Sequence, residues 1–260
     1  MLNLSSIELM TMIGKIWWPF FRIISALWLL PLFGDNRITP SVRILFALTL
    51  AILISPVVPV VGNINPFSLG SIILALEQIL FGLFFGLSLT MLFTMMKLIG
   101  EMLSMQMGLS MAVMNDPSSG GSSHVNSHLL TIFATLLFLS FNGHLIVLDI
   151  LVESFATWPI GSSIYLLNID IVLKLVSWIF MAALMLAMPA IVAMLLVNIT
   201  FGVMNRSAPS LNVYSLGFPM GMMLGIICLG LVFRVIPNRF FDFTVFILEQ
   251  MRLITGGLNV

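Results

Sequence analysis

Few side chains in this 260-residue sequence stand where they could do chemistry. Asp149 and Glu153 are four apart, a spacing familiar from carboxylate sites, but like charges there repel and no basic residue or metal-type cluster accompanies them. They read as a solvated helix end. His124 and His128 are also four apart, in a Ser-rich stretch, while His144 sits in an apolar helix. A zinc site needs further ligands at a telling spacing, and none follows. Cys228 is the single cysteine, so no disulfide can form within the chain. No GxxxxGK[ST] loop is present to cradle a nucleotide, and no Ser, His and carboxylate converge as nucleophile and base. The reading is a protein that is not an enzyme, with no catalytic residue, no metal and no cofactor.

Charge is scarce and therefore informative. Ten Lys and Arg balance ten Asp and Glu, charged residues are only 8% and hydrophobic ones 60%, and mean hydropathy is +1.17. A soluble domain carries roughly 25% charged residues, so a bilayer or an enclosing assembly must replace water over much of this surface. A nucleic-acid binder is excluded, because it would need a basic face. A central Lys, Arg or Asp in a membrane helix costs roughly 2.5–3.5 kcal/mol. Lys97 and Glu101, four apart, can neutralise each other along one face, but Glu77, Lys15 and Arg22 need partners from other helices or other chains.

The elements follow from the apolar runs. Met1 to Leu9 carries Glu8, no basic start and no small-residue cleavage pattern, so it is read as structure and not as a signal peptide. Leu9 to Pro31 predicts a first helix, and Pro56, Pro59, Gly62, Asn63, Asn65 and Pro66 mark a turn after the second. The third runs from about Phe67 to Met107, roughly 60 Å at about 1.5 Å per residue, or twice a hydrocarbon core. Leu129 to Leu148 predicts another span, and Ser207 to Phe233 a last one. Leu175 to Asn205 is too long for one upright helix, and Pro189 should kink it. With six alternating spans, Arg37, Arg43, Lys97 and Arg206 fall on one side and Lys174, Arg234, Arg239 and Arg252 on the other, which leaves no positive-inside bias.

Small and flexible residues show where helices meet. Gly82 and Gly86 form GxxxG, and Gly217, Gly221 and Gly225 extend that spacing over three positions. In lipid such spacing lets backbones approach and gain packing contacts, within the chain or between chains. The 20 Met and 21 Phe suit irregular apolar packing more than polar catalysis. Between the long third helix and the next lies GLSMAVMNDPSSGGSSHVNSH, Gly108 to His128. Irregular backbone cannot face lipid, so this loop must be in water, in protein or lining a cavity. Asn115, Asp116 and Pro117 initiate a turn, Gly120 and Gly121 free the backbone, and Met105, Met107, Met111 and Met114 could seal around an irregular object. From composition alone this is either a linker or a plug. Arg206 can complement a helix C-terminus, and Pro209 then stops continuation.

Four segments in order, GLSMAVMNDP from Gly108, FNGH at Phe141 to His144, WPIG at Trp158 to Gly161 and RSAPSLNVYSLGFP at Arg206 to Pro219, resemble the FliR/SctT family of type III export gate subunits. The likeness covers essentially the whole chain. It implies an all-α, membrane-derived protein of long kinked helical hairpins that assembles into a helical ring. It implies one export-gate domain over 1–260, with N-terminal helices to 107, a plug loop at 108–128 and C-terminal helices from 129. FliP and FliQ would be its partners in the gate, with FlhB in contact, and unfolded flagellar subunits its cargo. The assembly would sit in the bacterial inner membrane, within the flagellar basal body, displaced toward the periplasmic side.

Residue by residue, the resemblance assigns the plug to Gly108, Leu109, Ser110, Met111, Ala112, Val113, Met114, Asn115, Asp116 and Pro117, with Gly120 and Gly121 as its freedom to move. Packing and subunit contact fall to Gly82, Gly86, Arg206, Pro209, Asn212, Gly217, Gly221 and Gly225. Family members place Phe at Met111 and Met114, so closure here would rely on flexible thioethers, and they often have Gln at Ser210. Energy would come from proton-motive force or a partner ATPase. The competing reading is a secondary transporter for a small solute, which would gather ionisable residues at the midplane and show an inverted repeat.

Overall fold

The computed structural model describes residues 6–34, 38–58, 68–109, 125–161, 169–207 and 213–254. All regular structure among them is helical: α1 (Ser6–Leu29), α2 (Pro40–Ile54), α3 (Leu69–Gln106), α4 (Val125–Ser140), α5 (Gly143–Thr157), α6 (Ile169–Ser207) and α7 (Val213–Ile254). Among the described residues, three stretches are long and apolar enough to cross a membrane, Gly70–Gln106, Asp170–Met204 and Pro219–Leu253, or four spans if α4 and α5 together count as one. α1, expected as a span, is not among them, and it carries Lys15, Pro19 and Arg22.

Local chemistry explains the boundaries. α2 opens on Pro40, whose fixed φ and missing N–H cost nothing at a first helical position, after an extended Thr39. α3 is unbroken for 38 residues and about 57 Å long at the usual rise, as its apolar run suggested. α6 runs for 39 residues with Pro189 inside it, Asp170 in the first turn and Arg206 in the last, each complementing the dipole at its end.

Two boundaries differ from expectation. The run Leu129 to Leu148 is not one helix: it breaks after Ser140, where Asn142 takes φ 56° and ψ 23°. Asn is among the few residues that enter this left-handed region readily, and Gly143 follows it. The last helix does not stop near Phe233 but continues through Pro237 to Ile254. Its added turns carry Arg234, Arg239, Asp242, Glu249 and Arg252, so a search for uncharged runs ended it too soon.

The chain divides into two compact units. The first draws on Met1–Met91, Asn142–Leu175 and Val245–Val260; its core includes Trp18, Ile23, Leu27, Phe81, Leu89, Phe155 and Met251. There Phe81 stacks on Trp158 with centroids 4.4 Å apart. The second draws on Leu92–Phe141 and Val176–Thr244, with Phe93 edge-on to both Phe138 and Phe240 at 5.5 and 6.3 Å. In this unit α6 and α7 leave long rows of apolar side chains uncovered, among them Phe180, Met181, Met185, Leu196, Met223, Ile226 and Leu231.

The left-handed break between α4 and α5 gives a test. Asn142→Val should lower stability by about 1–2 kcal/mol, because a β-branched residue is strained there, whereas Asn142→Gly should be near neutral. The unfolding temperature of the purified protein or its complex reads the difference.

Candidate functional site

The start of the candidate plug is set by the end of α3. Gly108 has φ 75°, its N–H donates to the Met105 carbonyl at 3.1 Å, and the Leu109 N–H donates to the Ser104 carbonyl at 3.1 Å. These are the paired bonds of a Schellman motif, in which a glycine closes the helix and caps its last carbonyls. The first residue assigned to the plug is thus also the residue that ends the long helix. Ser110, Met111, Ala112, Val113, Met114, Asn115, Asp116, Pro117, Gly120 and Gly121 lie outside the described residues, as do Pro209 and Asn212.

Just before Gly108, Met107 is buried in the second unit against Gly225 of α7. A Cβ on Gly225 would stand 2.7 Å from the Met107 methyl carbon and 3.0 Å from its sulfur. The Met107 sulfur accepts a hydrogen bond from Asn126 Nδ2 at 3.2 Å. Asn126 lies in the first turn of α4, on the far side of the loop in sequence. Two turns back on α3, a Cβ on Gly100 would collide with the backbone of Ser127 and come within 2.8 Å of the Asn126 carbonyl carbon. Sequence reasoning named Met107 and Gly225 but missed Gly100, Asn126 and Ser127. Gly100 has no second glycine at four-residue spacing, so no pattern marked it.

The other glycines divide between covered and open positions. Gly82 abuts Ser25 and the Arg22 carbonyl of α1, and a Cβ on Gly86 would stand 2.7 Å from both the Ala26 carbonyl oxygen and Leu29 Cβ. Thr90 seals the same contact by donating to the Leu29 carbonyl at 2.5 Å. These positions are therefore packed within the chain, as is Gly225. Gly221 has open space where a side chain would go, and Gly217 is half-buried. Arg206 is exposed in the last turn of α6.

The first unit holds a buried cation. Arg22 is fully enclosed; its Nε donates to Gln78 Oε1 at 2.9 Å, Nη1 to the carbonyl and Oγ of Ser154 at 3.0 Å each, and Nη2 to the Trp158 carbonyl at 3.0 Å. The guanidinium lies 4.2 Å from the Phe155 ring centroid and 5.1 Å from that of Phe81, close enough for cation–π attraction. Glu77, also buried, contributes an opposing charge to the same region. The WPIG segment explains the free carbonyl: Trp158 caps α5, Pro159 cannot continue it, and Gly161 takes φ 92°. Partners 56 to 136 residues away left no local trace in the sequence.

Two ion-pair expectations change. Asp149 and Glu153 do have a basic partner, Arg252 of α7, at 3.8 and 3.5 Å. Lys97 and Glu101 make no ion pair among the described residues; Lys97 is exposed and Glu101 half-buried. Among the described residues, no cluster of three or more His, Cys, Asp or Glu is placed to hold a metal.

Comparison with known proteins adds a further line. Residues 13–245 match the family model for bacterial export proteins, family 1. The chain is 34% identical to a flagellar biosynthetic protein FliR of Pectobacterium carotovorum subsp. carotovorum, over 96% of this chain and 99% of that one. It is 31% identical to a FliR of Escherichia coli (strain K12), over 87% of each chain, and 32% identical to one of Aquifex aeolicus (strain VF5), over 86% and 88%.

Removing the Arg22 fork should be costly. Arg22→Ala takes away the guanidinium donors to Gln78 Oε1, the Ser154 hydroxyl and the Trp158 carbonyl, leaves the Ser154 carbonyl with the Trp158 N–H, and opens a void, a loss on the order of 3 kcal/mol. Arg22→Lys should recover only part of it, since an ammonium cannot reproduce the planar fork. Accumulation of full-length protein in membranes and the unfolding temperature of the extracted complex check the order wild type, Lys, Ala.

Proposed function

The chain belongs to family 1 of the bacterial export proteins, and from that premise we propose that it forms part of the wall, and carries the plug, of the gate through which unfolded flagellar subunits leave the cell. It is a component of the flagellar export apparatus with helices built for the inner membrane. Its neighbours in the gate are FliP and FliQ, with FlhB in contact, and the assembly stands toward the periplasmic side. In this reading residues 1–260 act as one export-gate domain whose plug loop spans 108–128.

The observation that carries the reading is the way α3 ends. An apolar helix of 38 residues stops at Gly108 and hands over to a Gly- and Ser-rich segment that could not face lipid. Leu109, Met111, Val113 and Met114 supply the apolar closure of a narrow constriction, which blocks ions by staying poorly hydrated. Gly120 and Gly121 give the segment room to withdraw when a substrate chain arrives. Nothing in the sequence offers a nucleotide site, so the driving energy comes from proton-motive force or a partner ATPase.

The exposed apolar rows of α6 and α7 support the same reading. Side chains such as Met185, 74% exposed, are free to meet helices of sister proteins. A solute permease fits less well, because the buried cation Arg22 already directs its donors to Gln78, Ser154 and Trp158. A transport site would leave such a group facing a cavity.

Deletion of Ser118 to Ser123 in cells that express the full gate tests the plug. Potassium efflux and sensitivity to small ions should rise well above wild type while the complex still assembles. A gate that assembles and stays as tight as wild type would count against the plug role.

A further inference from the structure

We infer that the groove between α6 and α7 is a phospholipid site, in which one acyl chain lies along the two helices and a zwitterionic phosphoethanolamine headgroup spans Arg239 and Asp242. The inference goes beyond the gating reading and does not depend on the plug.

The groove lies within the second unit and has a volume of about 300 Å³. Met185, Ala190 and Ala193 line it from α6, and Cys228, Leu231 and Val235 from α7. The small side chains at 190 and 193 leave space that larger residues would fill. Pro189 lines the groove too, and having no N–H it cannot return a bond to the Met185 carbonyl, so α6 is loosened at the same place. Along α7 the groove runs from Cys228 to Arg239, about 16 Å at the usual rise. That is close to the depth of one leaflet, half of an about 30 Å hydrocarbon core. Spread over this length, about 300 Å³ makes a slot with roughly a quarter of the cross-section of an α-helix, which is about 10–12 Å across. A sister helix therefore cannot enter it, whereas a single hydrocarbon chain can. Such a chain fills what a helix laid over the same face would leave as a void.

The two ends of the groove differ. Among the described residues that line it, only Arg239 is charged. Its Nη1 lies 4.0 Å from Asp242 Oδ2, a loose pair whose side chains are 61% and 64% exposed. No charge occurs on α7 from Val213 to Phe233, and Arg234 and Arg239 follow, so this is the end nearer water. A guanidinium holds a phosphate through charge-assisted hydrogen bonds, and the neighbouring carboxylate takes the ammonium of an ethanolamine. An anionic headgroup without an ammonium would set its charge against Asp242. Ala193 and Cys228 are the lining residues of each helix closest in sequence to the connection at 208–212, so they share the far, apolar end, where the chain terminus lies.

Photolabelling of the complete gate is the test. The gate is placed in nanodiscs of phosphatidylethanolamine and phosphatidylglycerol, doped with a phosphatidylethanolamine that carries a diazirine at the end of one acyl chain, and adducts on this chain are mapped by mass spectrometry. Adducts at Ala193 and Cys228 should exceed several-fold those at Ile226, which is exposed and outside the groove. Ala193→Phe, which fills the far end, should lower them several-fold while the gate assembles in wild-type amounts, and Ala193→Leu serves where the phenylalanine variant does not assemble. Ile226→Phe should label as wild type does. Unlabelled phosphatidylethanolamine should displace the probe at several-fold lower amounts than phosphatidylglycerol, and Arg239→Gln should abolish that preference. Groove labelling no higher than at Ile226, or labelling that an assembled Ala193 variant leaves unchanged, would overturn the site. Displacement by phosphatidylglycerol that is equal or better, or a preference that survives Arg239→Gln, would overturn the headgroup assignment. Leak through the Ser118 to Ser123 deletion is independent of each of these results, so a failure here and a failure of the plug reading are told apart.

Discussion

Between helices with almost no polar surface, contact is decided by how closely two backbones can come, and glycine sets that distance here. Lipid offers the outside of such a helix the same surroundings as its neighbour does, so there is little hydrophobic drive to bring the two together. What remains is dispersion and the few hydrogen bonds that close approach permits. Gly82 and Gly86 bring α3 onto α1, which places Thr90 within reach of the Leu29 carbonyl. Gly100 brings α4 onto α3, and Gly225 makes the socket for Met107. Remove these approaches and the polar contacts that depend on them lose their partners.

The buried Arg22 shows the same economy in the first unit. A cation in an apolar core is stable only when its donors are met. Here they are met by Gln78 from α3 and by the Ser154 and Trp158 carbonyls where α5 ends. The helix stop at Trp158 and Pro159 is therefore part of the fold's bonding and not merely a loop. In the second unit the Schellman glycine does a related task, since it satisfies the last carbonyls of α3 and ends the helix in one step.

Parts of this were legible in the sequence, and the reasons differ from one residue to another. The length of α3 was plain because no proline and no polar cluster interrupts it. The full extent of α7 was hidden, because Arg234 and Arg239 look like a boundary to a reading based on uncharged runs, yet a helix partly covered by protein tolerates them. The break at Asn142 was present as an Asn-Gly pair but was masked by the apolar residues on both sides. Gly82 and Gly86 announced themselves by their spacing, whereas Gly100 stands alone and shows its importance only through the backbone opposite it. The partners of Arg22, and of Asp149 and Glu153, come from distant helices, and pairing of that kind has no local signature. The four segments that resemble the export family carried the functional reading, and the structure gave Gly108, Asn142 and the Trp158–Pro159 pair their physical roles as a helix closure, a left-handed break and a helix stop.

The account stands or falls on what covers the apolar rows of α6 and α7. The most direct measurement is the native mass of the detergent-extracted protein, by light scattering or native mass spectrometry, made on the chain expressed alone and together with FliP and FliQ. The expected result is aggregation or loss when it is alone, and a single species far heavier than its own 28.7 kDa when the partners are present. A stable, monodisperse 28.7 kDa protein that ignores FliP and FliQ would contradict it.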